Sequence, residues 1–520
     1  MDSLSPADAV DMGSGYHRML LEGDVSAVIL AILCGVAVYL AFMGVICQYI
    51  NRSWVQTSTV YVISGCLCGG LLRLQYGVYA QERLAAGLTF DDDFYFRVLL
   101  PLVVLDAGLN LERENVNFYD NFTPIMVFTI AGTFLSAMVI GFGTWGLGAM
   151  AEATWGAPLN DTLIFDDPIE SLKFGALISP TDPVAILSVL GSLGQLKDPA
   201  LFSIIFGESV LNDAIGIVLF EVFEELDQTR ETDDVWQLQV LSATGWFVAI
   251  CICSVLLGVL VGLITAKVTQ MWPVGAGATH YEVTVVFFAS YGSYLLGESL
   301  NKLSDAPGPF SGIFCLFSAT LVTSHYTMHN ISREAKQTSN YGIKTVAWLA
   351  EAIIFFYLGV EILLAPLAGW DVGFIFLVTL LGFLARCVLH SYVAATFRLE
   401  RLCLGCQFDV VYLSRRGLVC AGLAALLNVT AKPMCGMNYT RPKIQPRSLL
   451  VLSLAGLRGG TAFALALRWD SDATRIAPIE TLTMGVIILT LCGAGESPTP
   501  SVSISFLCRW EHASVGVSVD

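Results

Sequence analysis

The chain has 520 residues, 55% of them hydrophobic and 14% charged, with a formal net charge of −17. Its mean hydropathy is +0.68. A soluble globular chain carries about 25% charged residues, so the composition excludes a soluble domain and points to a multi-pass membrane protein.

Residues 1–25 are polar and acidic, and they precede a first apolar run at 26–49. That order reads as a signal anchor rather than a cleaved leader. A spanning helix needs about 20 mostly apolar residues. Further candidates follow at 55–75, 94–111, 122–150, 171–190, 200–223, 244–268, 279–300, 312–328, 345–364, 371–397, 447–468 and 479–494, with a weaker one at 415–429. The expected fold class is therefore an all-α polytopic membrane protein. The expected organisation is a polar segment (1–25), one transmembrane domain (26–495) and a short tail (496–520).

Two spans are interrupted in the same manner. In "GALISPTDPVAILSVL", Pro180 and Pro183 flank Thr181 and Asp182. In "LSLAGLRGGTAFALAL", Gly456, Gly459 and Gly460 surround Arg458. Proline removes a helix donor and glycine weakens helix locally. Non-helical backbone at membrane depth is tolerated only where protein or a water-filled cavity covers it. Paired broken spans in the two halves of a chain point to a transporter's binding site.

Between them lies "FGESVLNDA", with Glu208, Asn212 and Asp213 inside an apolar stretch. Intramembrane carboxylates are costly and mark functional or paired positions. Glu208 and Asn212 share a helix face, while Asp213 lies about 140° around from Glu208. The two carboxylates are therefore expected to play different parts. Arg458 is the expected partner of Glu208 across the bundle, and the pair also reads as a plain polar clamp. Asp213, Asp182, Thr181 and Asn212 offer the hard oxygen ligands that suit small hard cations. A carboxylate out of water holds a proton or a cation competitively near physiological pH. That competition is the minimal physics of proton/cation exchange.

Other intramembrane charges are secondary candidates: Asp106 and Glu351 facing the bundle interior, and Arg386 snorkelling or meeting an acid. Glu282 and Glu298 lie near span ends, where solvation is expected. His325 and His329 read as bystanders that could titrate near neutral pH. The 14 cysteines form no disulfide framework, and the Cys403–Cys406 spacing lacks a second ligand pair. The basic residues between Arg398 and Arg447 place that connector in the cytoplasm. The sequon at Asn160 then faces the other side and is a glycosylation candidate, whereas Asn428 stays cytoplasmic.

These motifs resemble, in order, those of the eukaryotic sodium/proton exchangers of the monovalent cation:proton antiporter superfamily. The match covers residues 55–495 apart from a 400–446 insert, and rests on "LLPLVVLDAG", "SPTDPVAIL", "FGESVLNDA" and "AGLRGGTAFALAL". "SHYTMHNIS" and "AEAIIFFYLGVEIL" are similar to the organellar subgroup. The resemblance implies a homodimer of about 12–13 spans with inverted repeats and two unwound helices crossing beside the ion site. It implies Asp213 as ion/proton carrier with Asn212 beside it, Asp182 and Thr181 lining the site, and Glu208 paired with Arg458. It implies transported Na+ or K+ and H+, no cofactor, no resident metal, no enzymatic chemistry, and electroneutral one-for-one exchange regulating pH. The family's regulatory domain has no counterpart in residues 496–520.

The organellar motifs favour an endosome, Golgi or vacuole membrane over the plasma membrane. The expected partners are the lipid bilayer, monovalent cations and protons, and a second copy of the chain, with no nucleic acid. Alternative readings are a passive cation channel, an intramembrane aspartyl protease built on Asp182 and Asp213, and an inactive or truncated homologue.

Overall fold

The structure is a computed structural model that describes residues 57–76, 92–110, 122–155, 167–181, 199–228, 236–271, 279–302, 310–364, 372–386, 458–469 and 473–495. The expected first span, Asp182, Asn160, the Cys403–Cys406 pair, Asn428, the basic connector and the tail lie outside these residues.

Every regular element among the described residues is helical. We number them α1 (Thr57–Tyr76), α2 (Asp92–Asn110), α3 (Phe122–Trp155), α4 (Pro168–Ile178), α5 (Pro199–Gln228) and α6 (Trp236–Met271). Then come α7 (Thr279–Lys302), α8 (Gly312–Asn330), α9 (Arg333–Leu364), α10 (Val372–Arg386), α11 (Gly460–Leu467) and α12 (Ala473–Gly495). Among the described residues, Ile125–Gly148, Leu241–Met271 and Arg333–Leu364 are long and apolar enough to cross a membrane. Shorter apolar helices are Ser58–Leu71, Val372–Arg386 and Pro478–Leu491. On α6, Leu256, Leu260 and Leu263 point outward and exposed, as expected of a helix whose outer solvent is hydrocarbon.

Local chemistry sets several boundaries. Asp167 caps α4 by accepting from the Ile169 N–H at 3.2 Å, with Pro168 in the first turn. Pro180 then stops α4, and Ser179–Thr181 is non-helical. Ser332 caps α9 by accepting from Ala335 N–H at 3.2 Å, and Glu282 of α7 accepts from the Ser332 N–H and hydroxyl. Glu282 is therefore buried in a capping network, not solvated at a span end.

The helices pack as two groups. In one, α1 lies along α9, α6 and α7 against α8, and α2 against α8 and α9. In the other, α3, α4 and α5 pack together and α11 packs on α12. Helix α10 joins this second group through Leu381 beside Gly143 of α3 and Ile375 beside Gly485 of α12. The α1–α9 seam is tight because Gly65 lies directly on the backbone of Phe356 and Gly359. Fewer contacts join the groups, mainly α5 with α6, and α11 with α9 and the start of α2.

Candidate ion-exchange site

The end of α4 and the segment leading into α11 meet. Arg458 and Gly459 are non-helical and lead into α11. The Arg458 guanidinium, 2% exposed, donates through Nη1 to the carbonyls of Ser179 and, at 3.1 Å, Pro180. Those carbonyls lie past the end of α4, where helical donors run out. A fixed cation satisfies them without water. Its own N–H donates to Thr490 Oγ1 of α12 at 3.3 Å.

Glu208 does not pair with Arg458, contrary to expectation. Its Oε1 accepts from Arg386 Nη2 at 3.0 Å, and both side chains are nearly inaccessible. Arg386 is the last described residue of α10, a span whose register against α5 is a packing outcome. Arg458 is drawn instead to the unsatisfied carbonyls of the α4 break. Arg386, expected to snorkel or meet an acid, meets Glu208, and its Nη2 also donates to Thr181 Oγ1 at 2.9 Å. Asn212 Nδ2 donates to the same hydroxyl oxygen. The Asn212 Oδ1 is buried and accepts no hydrogen bond among the described residues. Thr181 thus joins the α4 break to α5 and α10. Gly216 helps hold it there, since a side chain at that position would strike the Pro180 ring.

Asp213 turns the other way. It lines a cavity of about 60 Å³ between the two helix groups. Glu351 and Phe355 of α9, Tyr95 and Val104 of α2, and Thr461 of α11 face the same space. Tyr95 begins a π turn, Tyr95–Leu99, and its hydroxyl donates to Thr461 Oγ1 at 3.2 Å. Asp106, one turn from the cavity wall, accepts from Asn110 Nδ2 at 2.9 Å on its own helix. His325 and His329 are exposed at the end of α8, away from the site.

Lys173 was absent from the sequence reasoning. It is 2% exposed on α4 and donates to Glu224 Oε1 of α5 at 3.0 Å. The signal was available, since "SLKFGALIS" carries a lysine inside an apolar run.

The end of α4 and the start of α11, joined by Arg458 beside a carboxylate that faces a cavity between two helix groups, are the arrangement expected around a transporter's binding site. Comparison with known proteins narrows the class. The family described as "Sodium/hydrogen exchanger, transmembrane" matches residues 28–503, and the chain belongs to that family. Sodium/hydrogen exchanger 3 of Arabidopsis thaliana is 32% identical over 61% of this chain and 57% of the relative. Sodium/hydrogen exchanger 8 of Homo sapiens is 28% identical over 86% of this chain and 66% of the relative. The chain thus spans between about half and two thirds of the length of these curated relatives. The sodium proton antiporter MjNhaP1 from Methanocaldococcus jannaschii superposes with a TM-score of 0.57 at 14% identity, covering 90% of this chain and 96% of that one. The fold is therefore the antiporter fold expected from the motifs.

Proposed function

We propose that the chain is a secondary active antiporter exchanging a monovalent cation, Na+ or K+, for H+. The observation that carries this reading is Asp213 facing the inter-group cavity while its neighbour Asn212 is hydrogen-bonded to Thr181 at the α4 break. Asp213 is the exchanging carboxylate, and the buried Asn212 Oδ1 is an oxygen ligand one residue away. Asp182, next to Thr181 in sequence, is a further candidate carboxylate. Residues 26–495 form the exchanging domain, and two copies of the chain associate in the membrane. The exchange regulates the pH of an organelle such as an endosome, Golgi or vacuole. The names of the two curated relatives above, both sodium/hydrogen exchangers, support the substrate class.

The test is proton flux across proteoliposomes loaded with Na+, K+ or Li+. Coupled, saturable, ion-dependent flux supports the antiporter. Uncoupled conductance would identify a channel, and no flux an inactive homologue.

A further inference from the structure

Lys173 is a buried cation that the exchange reading does not use. Its ammonium donates to Glu224 Oε1 at 3.0 Å, with side-chain exposures of 2% and 17%. It also sits over two aromatic rings, Trp469 at 4.5 Å and Phe220 at 5.1 Å from the ring centroids. Those rings pack edge to face on each other, with centroids 5.8 Å apart. An ammonium held by one carboxylate and two ring faces is fully used, because the rings supply negative potential where water is excluded.

The location gives this cage its meaning. Lys173 lies six residues before Ser179, about 9 Å along α4 from the break. Trp469 closes α11, its N–H donating to the Ala466 carbonyl at 3.3 Å. Phe220 and Glu224 follow Asp213 by 7 and 11 residues on α5, about two and three turns along the same helix face. The two helices are thus joined at their inner ends by Arg458, and the middle of α4 is joined to the outer end of α11 by Lys173. The carrier helix is held in the second joint.

We propose that Lys173 is a positioning residue for cation exchange: through Glu224, Phe220 and Trp469 it fixes the middle of α4 and the outer end of α11 to α5, and so sets where the α4 break meets Asn212. The assignment rests on the antiporter reading of Asp213. Lys173 touches neither Asp213 nor the cavity wall, so it acts through the helices it joins. Helix α4 also packs on α3 and α5, but without the Lys173 joint it loses its tie to the outer end of α11, and its broken end can shift. The ligands at Thr181 then move with it, and groups that orient the ligands of a bound cation change its affinity by about 10- to 100-fold when removed.

The test uses four variants of the full chain: Lys173→Met, Lys173→Arg, Glu224→Gln and the Lys173→Met/Glu224→Gln double. Each single neutralisation strands a buried charge and lowers the melting temperature. The double variant strands none and recovers much of that loss. With stability recovered, a merely structural role predicts wild-type transport. The positioning role predicts a KM for sodium raised about 10-fold in the double variant, and faster amide hydrogen exchange over residues 174–181. Lys173→Arg keeps the ion pair and the ring contacts and stays within about twofold of wild type. A double variant with wild-type KM, or with wild-type amide protection over 174–181, overturns the proposal. The amide measurement needs no transport, so a wild-type chain without ion-driven flux would defeat the antiporter reading and still leave the clamp to be judged.

Discussion

Asp213→Asn is expected to abolish sodium-driven proton flux while leaving insertion and folding intact, because the amide keeps the shape but neither ionises nor releases a proton. Retained flux in proteoliposomes would remove Asp213 as carrier. Glu208 behaves differently, as half of a buried ion pair with Arg386. Glu208→Gln or Arg386→Gln alone should cost about 3–5 kcal/mol of stability. The double change should cost less than the sum, because neither charge is then stranded. A double-mutant cycle on melting temperature in detergent checks this, and additive losses would dissolve the pair. The residue types of this site were legible in the sequence, and the pairing was not. An acid and an arginine in apolar spans announce that each has a partner. Which arginine meets which acid depends on helix register and on competition from backbone, and the Ser179 and Pro180 carbonyls won Arg458.

At the scale of elements, hydrophobic runs located the helices well. The expected span 55–75 is α1, Thr57–Tyr76, and 312–328 is α8 with its π turn Thr323–Thr327. Boundaries failed where polar residues continue a helix beyond the apolar run, as at Trp236–Gln239 ahead of the expected start at 244. The π turns were also invisible, since they answer to tertiary contacts. In the first, Tyr294 and Tyr291 of α7 donate to the carbonyls of Phe96 and Arg97. Packing gives an element-scale prediction. Gly65→Ala places a methyl on the Phe356 carbonyl. It should separate α1 from α9 at a cost of about 1–3 kcal/mol. Gly146→Ala meets nothing within 4 Å and should gain up to about 1 kcal/mol of helix propensity. Thermal unfolding of both variants decides, and equal melting temperatures would mean the seam yields freely.

For the whole molecule, the expectation is one-for-one exchange without net charge movement. If Asp213 alone exchanges its charge, it moves with one cation one way and one proton the other. A membrane potential then does no work on the cycle, whereas each uncompensated charge would feel about 2.3 kcal/mol per 100 mV. Glu351 faces the same cavity, and its participation would break this balance. Sodium/proton exchange in vesicles clamped at either sign of potential by potassium and valinomycin, with a potassium-free control, reads the stoichiometry. A rate that shifts with potential would implicate a second titrating group, with Glu351 joining Asp182 as a candidate. The orientation is tested separately: Asn160 should accept a glycan and Asn428 none, and a modified Asn428 would invert the topology.

The contact between Arg458 and the α4 break also has a consequence for how the chain is made. The donor follows the Pro180 carbonyl by 278 residues. At a synthesis rate of about 5–20 residues per second, roughly 15–55 s separate the two at the ribosome. Helices α3 and α4 exist from the start of that interval and α5 from its first fifth, but the end of α4 lacks the guanidinium that completes it. The first broken span is thus born unfinished and is closed by the last third of the chain. A premature stop upstream of residue 458 would consequently damage a site encoded far ahead of it, and quality control in the membrane would meet an intact-looking half with open carbonyls at its centre.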